Sequence, residues 1–363
     1  MKETDFRSSF REPALARALA GELAGLRPPA EIQLMHVCGT HEHSIARAGI
    51  RTFLDSRVRL VAGPGCPVCV CPAGDIDLAM QAARREGVIL ATFGDMFRVP
   101  SSDTSLEKLK ASGSDIRVVY SPFDAVRIAA DNPDREVVFM AVGFETTAAP
   151  IAAACSSDLP ENFSVLTSIR LIPPALRFLL DRSQGALDGF ILPGHVSTVL
   201  GRTGYLFLEE FGIPSVIAGF EPVDILNALI DILKTIISDE RATVKNLYPR
   251  VVREEGNLKA RRVMDEVFEE RNSNWRGIGE IPESGLRLRK KYSHLDAAEK
   301  FGLEYNSEAV DILPGCLCHR VILGEAEPEE CALFGSRCTP ALPFGPCMVS
   351  SEGTCRARYI YSR

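Results

Sequence analysis

The sequence contains neither ordinary nucleotide fingerprint: no Gly-x-x-x-x-Gly-Lys-[Ser/Thr] and no Gly-x-Gly-x-x-Gly occurs in its 363 residues. It therefore lacks the usual phosphate cradle of P-loop kinases and the pyrophosphate turn of dinucleotide-dependent dehydrogenases. An excess of positive charge is also absent, with 41 Lys and Arg against 48 Asp and Glu and a net charge of -7. Such a chain has no basic field to draw it to nucleic acid or to an anionic membrane. No apolar run is long enough to span a bilayer, and Met1 to Leu26 is charged and Ala-rich, unlike a signal peptide. A cytoplasmic protein is the expectation.

Cysteine, by contrast, is plentiful. Eleven are present, four between residues 38 and 71, six between 316 and 355, and Cys155 alone between the groups. Thiols are kept reduced in the cytosol and structural disulfides are rare there, so metal ligation or redox chemistry is favoured. Two separate sites are expected.

From residue 31 to about 238, short β-branched runs alternate with stretches of helical period, which predicts an α/β fold of mostly parallel sheet with flanking helices. Strands are expected at Ile32–Val37, Val58–Ala62, Val88–Phe93, Ile116–Tyr120, Val137–Val142, Phe163–Ile169, Gly189–Leu192 and Pro214–Ala218. A break at Asn132-Pro133-Asp134 divides this region into a first lobe, 31–132, and a second, 133–238, around a central cleft. Residues 239–363 then read as a third domain, joined by residues 1–30. It opens on a charged helix running from Arg261 through Arg271, and its irregular Cys-, Pro- and Gly-rich end needs a metal cluster as a staple.

Five unusual tracts each follow an expected strand: Cys38-Gly-Thr-His-Glu42, Gly63-Pro-Gly-Cys-Pro-Val-Cys69, Gly143-Phe-Glu-Thr-Thr147, Pro193-Gly-His195 and Gly219-Phe-Glu-Pro222. Ligands bind outside the carboxyl ends of parallel strands, so these tracts are expected to line one cleft. Cys38 precedes a helix whose cap is expected at Thr40, with His41, Glu42 and His43 in its first turn. The helix dipole and an imidazole partner would lower the thiol's pKa toward a metal-binding thiolate. Cys66-x-x-Cys69 suits disulfide exchange or soft-metal binding, the bland alternative being half a zinc site completed by Cys71. Six cysteines follow near the C-terminus: Cys316, Cys318, Cys331, Cys338, Cys347 and Cys355. Four thiolates hold an iron–sulfur cluster and two remain as a dithiol, whereas zinc ribbons use shorter paired spacings. His195 reads as a core histidine unless the cleft includes it, Glu145 and Glu221 as loop carboxylates or supporting acids, and Cys155 as core.

The first three of these tracts, together with Pro193-Gly-His-Val-Ser197, Cys338-Thr-Pro340 and Gly345-Pro-Cys-Met-Val-Ser-Ser-Glu-Gly-Thr-Cys355, resemble the motifs of the HypD family over nearly the whole chain. The resemblance implies a scaffold for assembling the Fe(CN)2CO unit of [NiFe] hydrogenase, in complex with a HypC-like small protein and with cyanide delivered by a HypE-like donor. It implies Cys38 as iron ligand, His41 beside it, and Cys66 with Cys69 as a redox pair or further iron ligands. A [4Fe-4S] cluster on Cys316, Cys331, Cys338 and Cys355 is implied too, leaving Cys318 and Cys347 as a nearby redox pair similar to that of ferredoxin–thioredoxin reductase. His319 departs from the glycine expected at its position. Iron carrying cyanide and carbon monoxide is soft, which suits thiolate ligands, and releasing cyanide from a thiocyanate-like donor requires electrons and a sulfur acceptor. The chief alternative is a thiol–disulfide oxidoreductase with a cluster and no transferable iron; a structural zinc protein is a third reading.

Overall fold

A computed structural model describes residues 13–101, 104–183 and 185–361. Eight strands fall where the β-branched runs predict them: β1 (Ile32–His36), β2 (Val58–Ala62), β3 (Val88–Thr92), β4 (Asp115–Val118), β5 (Glu136–Gly143), β6 (Phe163–Ile169), β7 (Gly189–Pro193) and β8 (Ser215–Ala218). They form two parallel sheets flanked by helices, and the fully buried runs of β3, β7 and β8 are the mark of strands covered on both faces. One sheet has the order β2-β1-β7-β8-β9, where β9 is Val244–Asn246; the other has the order β4-β3-β5-β6.

The lobes are not divided near Asn132. Both β4 and β5 flank β3 in one sheet, so the turn at Asn132-Pro133 lies inside a lobe. The chain leaves the first sheet after β2, builds the second from residues 88 to 169, and returns when β7 pairs with β1 at Leu34↔Gly189. Periodicity identifies a strand but not its partner, and this pairing spans some 150 residues of sequence.

Residues beyond 239 do not form a separate helical unit either. β9 extends the first sheet, and the helix expected to reach Arg271 ends at Val267. There the chain turns into an antiparallel hairpin, β10 (Phe268–Trp275) and β11 (Gly279–Leu288), whose Phe268 buries in the core beside β5 and β6 and whose Trp275 stacks on Phe144 after β5. Trp275 donates to Ser284 Oγ at 2.8 Å inside the hairpin. Helix Pro13–Gly25 packs on helix Pro222–Ile237 of the first sheet, sharing a core with Leu34 and Leu229, and not on the cysteine-rich end. Residues 1–12 lie outside the described residues.

The helix that follows β1, Gly39–Arg47, is fixed to the first sheet by a buried polar triad. Glu42, fully buried, accepts from Arg51 through both oxygens at 3.0 and 2.7 Å and meets His36 Nε2 at 2.6 Å. Burial alone would raise the Glu42 carboxyl; the Arg51 charge and the His36 bond outweigh it and hold the pKa at about 2. Glu42 therefore stabilises the fold fully above its ordinary 4.5, and that contribution is lost as pH falls toward about 2. Glu42→Gln is expected to lower unfolding stability by about 3 kcal/mol at neutral pH, the size seen when one member of a buried ion pair is removed. Urea titrations between pH 5 and pH 3 check the sign: wild type should lose stability more steeply than the variant, and parallel curves would contradict the assignment.

Candidate metal and redox site

Cys38 sits where β1 runs into helix Gly39–Arg47, and it is itself the extended N-cap residue, two residues before the expected cap Thr40. Its backbone is hemmed in by two glycines. A Cβ at Gly65 would lie 2.3–2.5 Å from the Val37 carbonyl and the Cys38 nitrogen, and a Cβ at Gly39 would lie 2.2 Å from the Glu352 carbonyl oxygen. Neither position admits a side chain, so the tract after β2 and the segment near the C-terminus both touch the Cys38 turn.

A cavity of about 290 Å³ opens on this junction. Its walls include Cys38, Pro67, Thr147, Pro193, His195 and Glu352, so four of the five tracts converge on it. The fifth is held just behind. His41 Nε2 donates to the Gly219 carbonyl at 2.9 Å, and Phe220 stacks on His195 with ring centroids 4.0 Å apart. His41 is thus fully buried and outside the cavity lining; burial and the His36 charge push its pKa down to about 3, leaving a neutral ring that pins the Cys38 helix to the loop after β8.

The expected thiolate at Cys38 is not what the environment favours. Burial and the Glu352 charge push the thiol up to about 11, outweighing the backbone N–H groups of His41 and Thr40. In this cleft the residue is a thiol.

Cys66 and Cys69 form a disulfide, with Cα atoms 5.3 Å apart, across the short helix Pro67–Val70. They are buried: the cavity sees Gly65 and Pro67, while Cys66 and Cys69 belong to the core. There the helix packs against Pro346–Val349, which carries Cys347. Cys71 does not complete this group; its sulfur lies 3.3 Å from Ser168 Oγ, beside the buried Asp75–Arg170 ion pair.

All six C-terminal cysteines line one small apolar cavity. Cys316 and Cys318 share a hydrogen bond, as do Cys347 and Cys355; Cys338 Sγ accepts from the Phe344 N–H at 3.3 Å. Cys316 is drawn down to about 7, chiefly by its bond with Cys318. Six soft donors on an apolar wall fit an iron–sulfur cluster in chemistry. The cavity itself is about 10 Å³, and among the described residues no three His, Cys, Asp or Glu side chains stand in metal-ligand geometry, so holding a cluster requires the thiols to spread. His319 does not line this cavity; its Cβ side abuts Gly277.

The remaining candidates separate cleanly. Cys155 is core, its thiol pushed up to about 12 by burial. Glu221 caps helix Pro222–Ile237 in a box with Asp224. Glu145 is buried, not a loop carboxylate: Oε1 accepts from the Ile172 N–H at 2.8 Å, Oε2 has no partner, and burial raises its pKa to about 7. Two residues escaped sequence reasoning. Glu352 was visible only as spacing inside the Gly345–Cys355 tract, and Asp95, which accepts from Ser350 and Ser351, lies in a segment with no distinctive pattern.

No helix of the described residues is long and apolar enough to cross a membrane. Residues 14–362 match the family described as HypD, hydrogenase formation hypA family. The chain is 46% identical to the hydrogenase maturation factor HypD of Rhodobacter capsulatus, over 98% of each chain. It is 45% identical to that of Azotobacter vinelandii, over 98% of this chain and 96% of that one. A putative hydrogenase expression/formation protein of Methanocaldococcus jannaschii is 44% identical over 92% of this chain and 93% of its own. With its motifs gathered on one cleft and its match running almost end to end, the chain belongs to the HypD family of hydrogenase maturation factors.

Proposed function

We propose that the cleft holds an iron ion on Cys38 while cyanide and carbon monoxide are added to it, so that the protein acts as the assembly scaffold for the Fe(CN)2CO unit. The observation that carries this reading is the placement of Cys38 in a cavity whose wall continues, through Glu352, into the segment bearing Cys347 and Cys355. A buried thiol with its proton held at about 11 is inert to adventitious electrophiles yet becomes a strong soft ligand once a metal cation displaces that proton. One face of the cavity is open, which leaves room for a cysteine from a HypC-like partner and for a HypE-like cyanide donor.

Cys316, Cys331, Cys338 and Cys355 would hold a [4Fe-4S] cluster, which when bound supplies single electrons to neighbouring sulfur. Cys318 and Cys347 then remain as a dithiol. Cys347 lies on the helix packed against Cys66 and Cys69, so sulfur groups extend from the cysteine-rich end to the loop that touches Cys38. This same arrangement favours a second reading, a thiol–disulfide oxidoreductase without transferable iron.

Infrared spectroscopy separates the two. The protein purified with its small partner should show cyanide and carbonyl stretching bands, and Cys38→Ala should abolish them while the brown colour persists. Bands of normal intensity in a folded Cys38→Ala complex would remove the scaffold role from this residue. Absence of bands in wild type, with disulfide-reducing activity present, would favour the second reading.

The ligand assignment has its own test. Single Ser substitutions at Cys316, Cys331, Cys338 and Cys355 should bleach the visible charge-transfer absorption, and those at Cys318 and Cys347 should leave most of it. Loss of colour in either of the latter two would reassign the four ligands.

A further inference from the structure

The segment Ser350 to Gly353 touches both lobes. On the side of the second sheet, Asp95 Oδ2, in the turn after β3, accepts from Ser350 Oγ at 3.0 Å, the Ser351 N–H at 2.9 Å and Ser351 Oγ at 3.1 Å. On the side of the first, Thr40 Oγ1 donates to Glu352 Oε1 at 3.0 Å, two residues beyond Cys38. The Glu352 backbone fills the space where Gly39 lacks a side chain, and its carboxylate stands in the same cavity wall as Cys38.

The segment is also tied to the cysteine-rich end. A Cβ at Gly353 would lie 2.1 Å from the Cys347 carbonyl oxygen, so Gly353 rests directly on the Cys347 backbone, and Cys355 follows two residues later. Cys355 sits in the first turn of helix Thr354–Tyr361, which lies along helix Gly39–Arg47. At the far end of that contact, the Tyr361 hydroxyl meets His43 Nε2 at 2.9 Å. The Cys347 and Cys355 backbones are thus joined to the Cys38 turn by direct packing.

We propose that Glu352 is a positioning residue which, through its hydrogen bond with Thr40, latches the cysteine-rich segment over Cys38 and sets how far that thiol is open to incoming groups. The inference deepens the scaffold reading and rests on Cys38 being the working thiol of the cleft. The latch explains why a tract rich in candidate cluster ligands contains a carboxylate facing a different site. It also gives the spreading of six thiols around a cluster a route by which to alter the cleft.

Alkylation of the purified full-length protein with iodoacetamide, followed residue by residue by mass spectrometry, tests the latch without reference to any bound iron. Cys38 is 7% exposed and Cys155 4% exposed, so both label slowly in wild type, and Cys155, far from the latch in a different core cluster, reports general loosening of the fold. Glu352→Ala and Thr40→Val should each speed Cys38 labelling about fivefold or more, the size expected when one hydrogen bond holding a loop closed is lost. Cys155 should keep its wild-type rate. Removing the Glu352 charge also eases Cys38 ionisation, so all rates are compared per thiolate, from labelling across a pH series; on that scale Glu352→Gln, whose amide oxygen still accepts from Thr40, should stay within about twofold of wild type. Thr40→Val carries the same test if Glu352→Ala fails to fold. Unchanged Cys38 rates in the Ala and Val variants, Cys38 and Cys155 rising together, or Gln labelling as fast as Ala would each overturn the proposal. Because the infrared bands are read separately, a latch that fails here leaves the scaffold reading standing, and the reverse holds too.

Discussion

At Cys38 three stretches of backbone meet with no room for a methyl group between them. The turn after β1 is pressed against Gly65 from one side and holds the Glu352 backbone at Gly39 on the other. Protein interiors transmit small displacements because they are packed to near-crystalline density, and backbone against backbone leaves no side-chain rotamer to absorb a shift. The two cysteine groups, nearly 250 residues apart in sequence between Cys71 and Cys316, are consequently parts of one assembly. The parallel sheets, the Glu42 triad and the His41 bond to Gly219 all bring the Cys38 turn to that junction and hold it there.

The electrostatics of the site follow from its dryness. A helix N-terminus lowers a thiol's pKa where water and helix dipole act together, but a buried thiol facing a carboxylate is pushed the other way, and at Cys38 burial is the larger effect. His41 is likewise held neutral, so it neither activates Cys38 as a cation nor lines the cavity. The cleft keeps the Cys38 thiol protonated. Charge is instead spent on structure: Glu42 with Arg51, and Asp75 with Arg170, are buried pairs that join helices to sheet and one lobe to the hairpin.

Much of this was legible in the residues. All eight runs of Val, Ile and Leu became parallel strands because burial on both faces leaves an apolar signature that local pattern exposes. Which strands share a sheet was not legible, since β1 finds β7 across the whole of the second lobe and nothing local at Leu34 or Gly189 records it. The hairpin from Phe268 was hidden by Glu269, Glu270 and Arg271, charged residues that read as helix surface but form the more exposed part of a strand in a two-stranded ribbon. The Cys66-x-x-Cys69 pair was recognisable from spacing, but its burial was not, because Gly65 serves close approach to the Cys38 backbone and Gly63 close approach to Met35 and His36. Glu352 lay in a tract dominated by cysteine; only the fold shows that its side chain faces a different group of ligands from its neighbours.

The central claim of the proposal is that one protein carries two kinds of iron, a resident cluster on four of the six C-terminal cysteines and a transferable ion at Cys38. A Mössbauer spectrum of the wild-type protein, isolated from cells grown on isotopically enriched iron, addresses that directly. The account predicts two components in about a four-to-one ratio, the larger with the parameters of a [4Fe-4S] cluster and the smaller those of low-spin ferrous iron. A single cluster component, with no low-spin iron in a sample competent for hydrogenase maturation, would contradict it.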